Sequence, residues 1–182
     1  MVQVIDQLGR DHRNLHLLLD IVEEEMNAYW VGRVPDLDLL RMIVEYTLRY
    51  PDLVHHPKEN LVFERLVTRS LEAKTVIGDL LKEHRRLAEL TRRFAAVLTN
   101  TARDVELPRE QLDSLGREYL LANRLHMHLE EKYFLPRALT VLTGEDWVVI
   151  DERLSYVDDL VFGEKVAKGY LILHERILKL HG

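Results

Sequence analysis

The sequence of 182 residues contains no cysteine. That excludes disulfides, thiolate nucleophiles, iron–sulfur clusters and cysteine-based zinc sites together. Any metal has to be held by imidazole and carboxylate. Glycine and proline are sparse, at eight and five, and no segment alternates apolar and polar residues as a half-buried strand does. No apolar run approaches the roughly 18 residues that a membrane span needs. Basic excess is missing too: the net charge is −6 with the histidines neutral, which argues against nucleic acid as a partner. The N-terminus carries Asp6 early and has no apolar h-region, so no secretory signal is legible and a cytoplasmic location is expected. With 47% hydrophobic and 31% charged residues, the chain has enough apolar side chains for one buried core and is not disordered.

What the sequence does have is helical period and histidine. An apolar stripe runs Ile5, Leu8, Leu15, Leu19, Val22, Met26 in steps of three and four, with His12 in the gap. The same stripe returns as Ile77, Leu80, Leu87, Thr91, Phe94, Leu98, with His84 in the gap, displaced by 72 positions (His12 to His84). A second repeat follows. His55–Phe63 and His126–Phe134 both read His-x3-Glu-x3-Phe. The chain is therefore read as two copies of one helical hairpin. Helices are expected near 3–30, 36–70, 73–102 and 108–142, with loops at Gly32–Pro35, Ser70–Ala73 and Asp104–Pro108. Pro35 and Pro108 are placed in first turns, and Pro51 and Pro57 are expected to bend the second helix. Connections this short favour an all-α, up-down-up-down antiparallel four-helix bundle over residues 1–143. Residues 144–182 are expected to form a helical extension packed on it, with Trp147 and Phe162 as docking residues.

The repeat sorts the nine histidines. His12 pairs with His84 and His55 with His126, and Glu59 pairs with Glu130. His16 and His56 match Ala88 and Met127, so they fall outside the shared set. Residues at i and i+4 project from one helix face, so each His-x3-Glu presents an imidazole and a carboxylate to the same region. The single histidines of the first and third helices can meet them there. Six ligands then surround one internal point: His12, His55, Glu59, His84, His126 and Glu130. They suit two metal ions, with two histidines on each and the carboxylates bridging. Open coordination positions remain, and the ligand chemistry suits iron, with manganese or zinc as alternatives. Burying that many polar groups without partners would cost several kcal/mol each, on the order of 2–7. His16, one turn beyond His12, reads either as a neighbour of the ligands or as a half-buried flank residue. Tyr119, two turns before His126, either lines the pocket or packs in the core. His56 and His128 are expected to point elsewhere on their helices, Glu131 to lie on the surface, and His174 and His181 to face solvent.

At Asp11-His12, His55-His56-Pro57-Lys58-Glu59, Glu83-His84 and His126-Met127-His128-Leu129-Glu130-Glu131 the sequence resembles the hemerythrin-like family, also called HHE cation-binding domains, over about residues 3–142. The spacing is similar to the branch with four histidines and two glutamates. The resemblance implies two non-haem iron ions, oxo- and carboxylate-bridged, within a four-helix bundle. It implies a protein that binds or senses oxygen or nitric oxide in oxidative or nitrosative stress. Two alternatives stand beside that: a di-iron enzyme that decomposes peroxide or reduces nitric oxide, and an iron donor for iron–sulfur repair. A protein partner would be met through the C-terminal extension.

Overall fold

The computed structural model describes residues 2–77, 80–101, 109–154 and 159–181, and no β-strand occurs among them. The expected loop at Asp104–Pro108 and the proline that closes it lie outside the described residues. Helix α1 spans Gln3–Trp30. It ends where Gly32 adopts φ +85, a conformation that a side chain disfavours. The Gly32 and Arg33 amides then donate to the carbonyls of Tyr29 and Ala28, which closes the last turn. Pro35 lies just ahead of the next helix rather than in its first turn. Asp36 caps α2 (Leu37–Tyr50) by accepting the Leu39 amide at 3.0 Å.

Helices α2 and α3 (His56–Arg69) are joined without a loop by a π-helical turn at Pro51–His55. After α4 (Leu71–Ile77) and α5 (Leu80–Thr101), α6 (Arg109–Leu129) runs through a second π turn, Glu130–Phe134, into α7 (Leu135–Val141). Proline explains both turns. Pro57 and Pro136 have no amide proton, and each ring presses on the carbonyl four residues earlier. Those carbonyls belong to Leu53 and Lys132, the central residues of the two π turns. The wider turn accommodates the clash without breaking the helix.

Helix α5 packs against α2 and α6, and α1 packs against α6 and α2, which makes a helical bundle. Its interior is divided. One apolar cluster gathers Leu18, Leu19, Leu40, Ile43, Phe94, Leu98, Leu112 and Leu115. The other gathers Val4, Leu8, Val62, Phe63, Leu66, Leu80, Phe134 and Ala138. His12 in α1, His84 in α5 and His55 and His56 at the start of α3 fall between the two clusters, and His126 in α6 sits at the edge of the first, next to Met127. The bundle thus carries a polar layer across its middle, clamped by apolar burial worth about 1.5–3 kcal/mol per large side chain on each side.

The C-terminal segments are anchored to this bundle at two places. At the start of α8 (Gly144–Arg153), Thr143 and Asp146 cap each other. Asp146 is fully buried, accepts hydrogen bonds from Arg65 and Arg69 of α3, and is held below the usual carboxylate range chiefly by Arg69. Trp147 packs against the second apolar cluster and Phe162 against the first. In α9 (Leu171–His181), Leu173 and Ile177 reach the first cluster, and Arg176 binds the second oxygen of the Asp36 cap at 2.7 Å.

Candidate metal centre

The structure brings all six residues of the repeat into that polar layer, and all six are buried. Glu59 Oε1 lies 3.2 Å from His55 Nε2 and 3.4 Å from His12 Nε2, and its Oε2 lies 3.3 Å from His84 Nε2. Glu130 mirrors it. Its Oε1 lies 3.1 Å from His126 Nε2 and 3.4 Å from His84 Nε2, and its Oε2 lies 3.4 Å from His12 Nε2. Each carboxylate therefore meets the histidine of its own helix and the single histidines of both α1 and α5.

The outer ring nitrogens are occupied separately. His55 Nδ1 faces Asp11 Oδ2 at 3.1 Å, His12 Nδ1 faces Glu131 Oε1 at 3.1 Å, and His84 Nδ1 faces Asn60 Oδ1 at 3.2 Å. An acceptor at Nδ1 places the imidazole proton there and turns the bare Nε2 inward. Nε2 lone pairs then confront carboxylate lone pairs across 3.1–3.4 Å, which is repulsive unless something positive lies between them. His12 Nε2, His126 Nε2, both oxygens of Glu59 and Oε2 of Glu130 have no hydrogen-bond partner although they are buried. The donor set fits a cation, because imidazole and carboxylate together are the ligands of iron, manganese and zinc.

Protons reveal the same field. Burial opposes charge on His12, but the facing carboxylates of Glu130 and Glu59 outweigh it and raise the ring to about 10. Burial likewise opposes charge on His55 and His84, and the carboxylates lift both to about 9. For Glu59, burial acts against ionisation, yet His55 and the other imidazoles hold it well below the usual range.

Two groups have atoms close enough to share an ion: His12, His55, Glu59 and Glu130, and His56, Glu59, His84 and His126, each within 4.8 Å of one another. Glu59 belongs to both. His56 was expected to point away from the site, but it is buried and lies flat on His84, with centroids 3.9 Å apart and planes 10° apart. An ion in the plane of one of two stacked rings lies outside the plane of the other. His56 thus backs His84, and Asp52 holds its Nδ1 at 3.1 Å. Burial lowers its protonation to about 4.

Glu131, read as a surface residue, is half-exposed but reaches inward to His12. It also meets His16 Nε2 at 3.2 Å, which puts His16 beside the site and outside its centre. His174 is partly buried, with Nδ1 2.9 Å from the Val161 carbonyl. The sequence reading did not single out Asp11 as the partner of His55. Its place one residue before His12, on a helix whose opposite face is charged, carries no periodic signal.

Tyr119 is fully buried and lines a cavity of about 30 Å³ together with Leu15, Leu19, Thr47, His55, His126 and Glu130. Thr47 Oγ1 donates to the Val44 carbonyl at 3.0 Å, so in the 3.0 Å contact between Tyr119 and Thr47 the phenol is the donor. Burial raises the Tyr119 hydroxyl to about 12, so it stays protonated. The space suits a molecule of one or two heavy atoms.

A helical bundle crossed by a buried layer of imidazoles and carboxylates is the architecture of a cation-binding protein. The family model of the hemerythrin HHE cation-binding domain matches residues 3–138, and the chain belongs to that family. No curated protein and no solved structure matches the chain. Among the described residues no helix is long and apolar enough to cross a membrane.

Proposed function

We propose that the chain holds two non-haem iron ions with His12, His55, Glu59, His84, His126 and Glu130, and uses them to bind or sense a small diatomic ligand, oxygen or nitric oxide. One observation carries the reading: inward-facing Nε2 atoms and carboxylate oxygens lie 3.1–3.4 Å apart with no hydrogen-bond partner for five of them. In this reading residues 1–143 form the up-down-up-down metal-binding bundle, residues 144–182 extend it toward a protein partner, and the protein works in the cytoplasm. Iron bound there would supply a Lewis-acidic, redox-active centre with open positions. Asp11, Glu131 and Asn60 fix the imidazoles from outside, and the adjoining cavity of about 30 Å³ limits the ligand to diatomic size.

A second reading, peroxide decomposition, is favoured by Tyr119, which brings a protonated hydroxyl to the cavity wall. Elemental analysis of protein purified without added metal, with an absorption spectrum in air, tests the centre. Two irons per chain with a near-ultraviolet charge-transfer band are expected. Zinc alone, or no metal, would overturn the iron reading. Stopped-flow mixing with nitric oxide, oxygen and peroxide then separates reversible binding from turnover.

A further inference from the structure

A line of three tyrosines leads from the candidate centre to the surface. His55 Nδ1 faces Asp11, and the Tyr50 hydroxyl donates to the other oxygen of Asp11 at 3.1 Å. Tyr46 stacks on Tyr50, with centroids 5.5 Å apart and planes 9° apart, and its hydroxyl donates to Asp159 at 2.8 Å. Tyr170 meets Tyr46 edge-on at 5.9 Å and is half-buried, so the line ends at solvent. Tyr46 and Tyr50 are buried, and so are both aspartates.

Packing alone does not account for this arrangement. Phenylalanine would fill the same space without a phenol, and each aspartate already has another partner on its other oxygen: Asp11 meets His55 Nδ1, and Asp159 accepts the Val161 and Phe162 amides. The pairing does have a chemical use. A tyrosine gives up an electron at neutral pH only if its phenolic proton leaves as well. A carboxylate in hydrogen-bond contact receives that proton without carrying it through the apolar core.

We propose that Tyr50, Tyr46 and Tyr170 form an electron-transfer route between the metal centre and the protein surface, with hydrogen peroxide as the oxidant. This rests on the reading of the centre given above. Tyr50 loses an electron to the centre and its proton to Asp11. Tyr46 then supplies an electron to Tyr50, which takes its proton back, while the proton of Tyr46 moves to Asp159. Tyr170 refills Tyr46 in the same way and releases its own proton to solvent. Reducing one peroxide to two waters takes two electrons and two protons, so one chain draws on the line twice. The first vacancy ends as a neutral phenoxyl radical at Tyr170, the second rests at Tyr46 with its proton on Asp159, and solvent returns the protons that the waters need. Two Tyr170 radicals of different chains combine to form one carbon–carbon bond.

The test is to add hydrogen peroxide to the iron-loaded protein and to read the tyrosyl signal by freeze-quench EPR and dityrosine by fluorescence. The unaltered chain should give both, with a cross-linked dimer on a denaturing gel. Tyr170→Phe should keep the radical and lose the cross-link. Tyr46→Phe should lose the cross-link and confine the radical to Tyr50, with iron content unchanged. Iron-loaded protein that consumes peroxide with no tyrosyl radical, or that cross-links equally well as Tyr46→Phe, overturns the route and leaves the metal centre standing. A chain that takes up no iron overturns the centre itself, and the route with it.

Discussion

Glu130 and Glu131 are neighbours in the chain, yet their carboxylates face opposite nitrogens of one imidazole, that of His12. Glu130 Oε2 lies 3.4 Å from Nε2 and Glu131 Oε1 lies 3.1 Å from Nδ1. The π turn that begins at Glu130 lets consecutive residues reach both edges of the same ring. One of them belongs to the candidate centre, and the other orients a ligand from the rim.

Glu131→Ala should therefore weaken metal retention without unfolding the bundle. Removing a carboxylate that orients a histidine ligand typically lowers metal affinity by roughly 10–100-fold. Competition against a coloured chelator measures it. Affinity equal to that of the parent would show that His12 needs no such support.

Stripping the metal should destabilise the chain. The buried layer is then left with protons as its only positive charge, and whatever binds only the folded state stabilises it by mass action, by about 4 kcal/mol at a thousandfold excess over the dissociation constant. Calorimetry on stripped and reloaded protein should show a higher melting temperature on reloading. Glu130→Ala should abolish most of that rise. Melting that ignores metal would remove these six residues as ligands.

Tyr119→Phe should leave metal content unchanged and weaken small-ligand binding, because a bound anion draws the phenol proton away from Thr47. A single hydrogen bond is worth about 0.5–1.5 kcal/mol, or roughly a 2–12-fold change in affinity. Titration of the loaded protein with azide, an anion of the right size, reads it out. An unchanged azide affinity would assign Tyr119 to packing only.

Asp146→Asn should lower the melting temperature by roughly 2–8 °C near neutral pH, because Arg65 and Arg69 lose their carboxylate. The aspartate is held below its usual 3.8 in the folded chain, chiefly by Arg69. Its contribution is complete above that value and is lost as the pH falls through the folded one. The gap between parent and variant should thus be constant from neutral pH down to about pH 5 and narrow below pH 4. A gap that widened in acid would contradict the assignment.

Much of this was legible in the sequence because helical period is a property of the chain alone. The repeat of His12 at His84 and of His55-x3-Glu59 at His126-x3-Glu130 placed six polar side chains on interior faces, and those six do meet. What period cannot show is a shift of phase within a helix. His56 was assigned outward by regular geometry, and it lies instead on His84. Glu131 lies at the surface as read, but its reach to His12 Nδ1 has no counterpart in the period. Pro136 lies just past the second π turn, where an apolar stripe of regular period gives no sign of the bend. Asp11, Tyr46 and Tyr50 were invisible for a different reason: their partners, His55 and Asp159, lie far away in sequence, and nothing local signals such pairings.

A π turn is an α-helix holding one residue too many, and in that sense it is to a helix what a dislocation is to a lattice. The surplus residue in Pro51–His55 is absorbed on the spot, so that Leu40 and Ile43 on one side and His55 and Glu59 on the other all face the interior. Deleting the exposed Leu53 together with Pro57→Ala would anneal the defect and leave both flanks in step. The same deletion inside α2 would swing everything beyond it by about 100° and carry His55 and Glu59 off the core. The helix can change its length at this seam and nowhere near it.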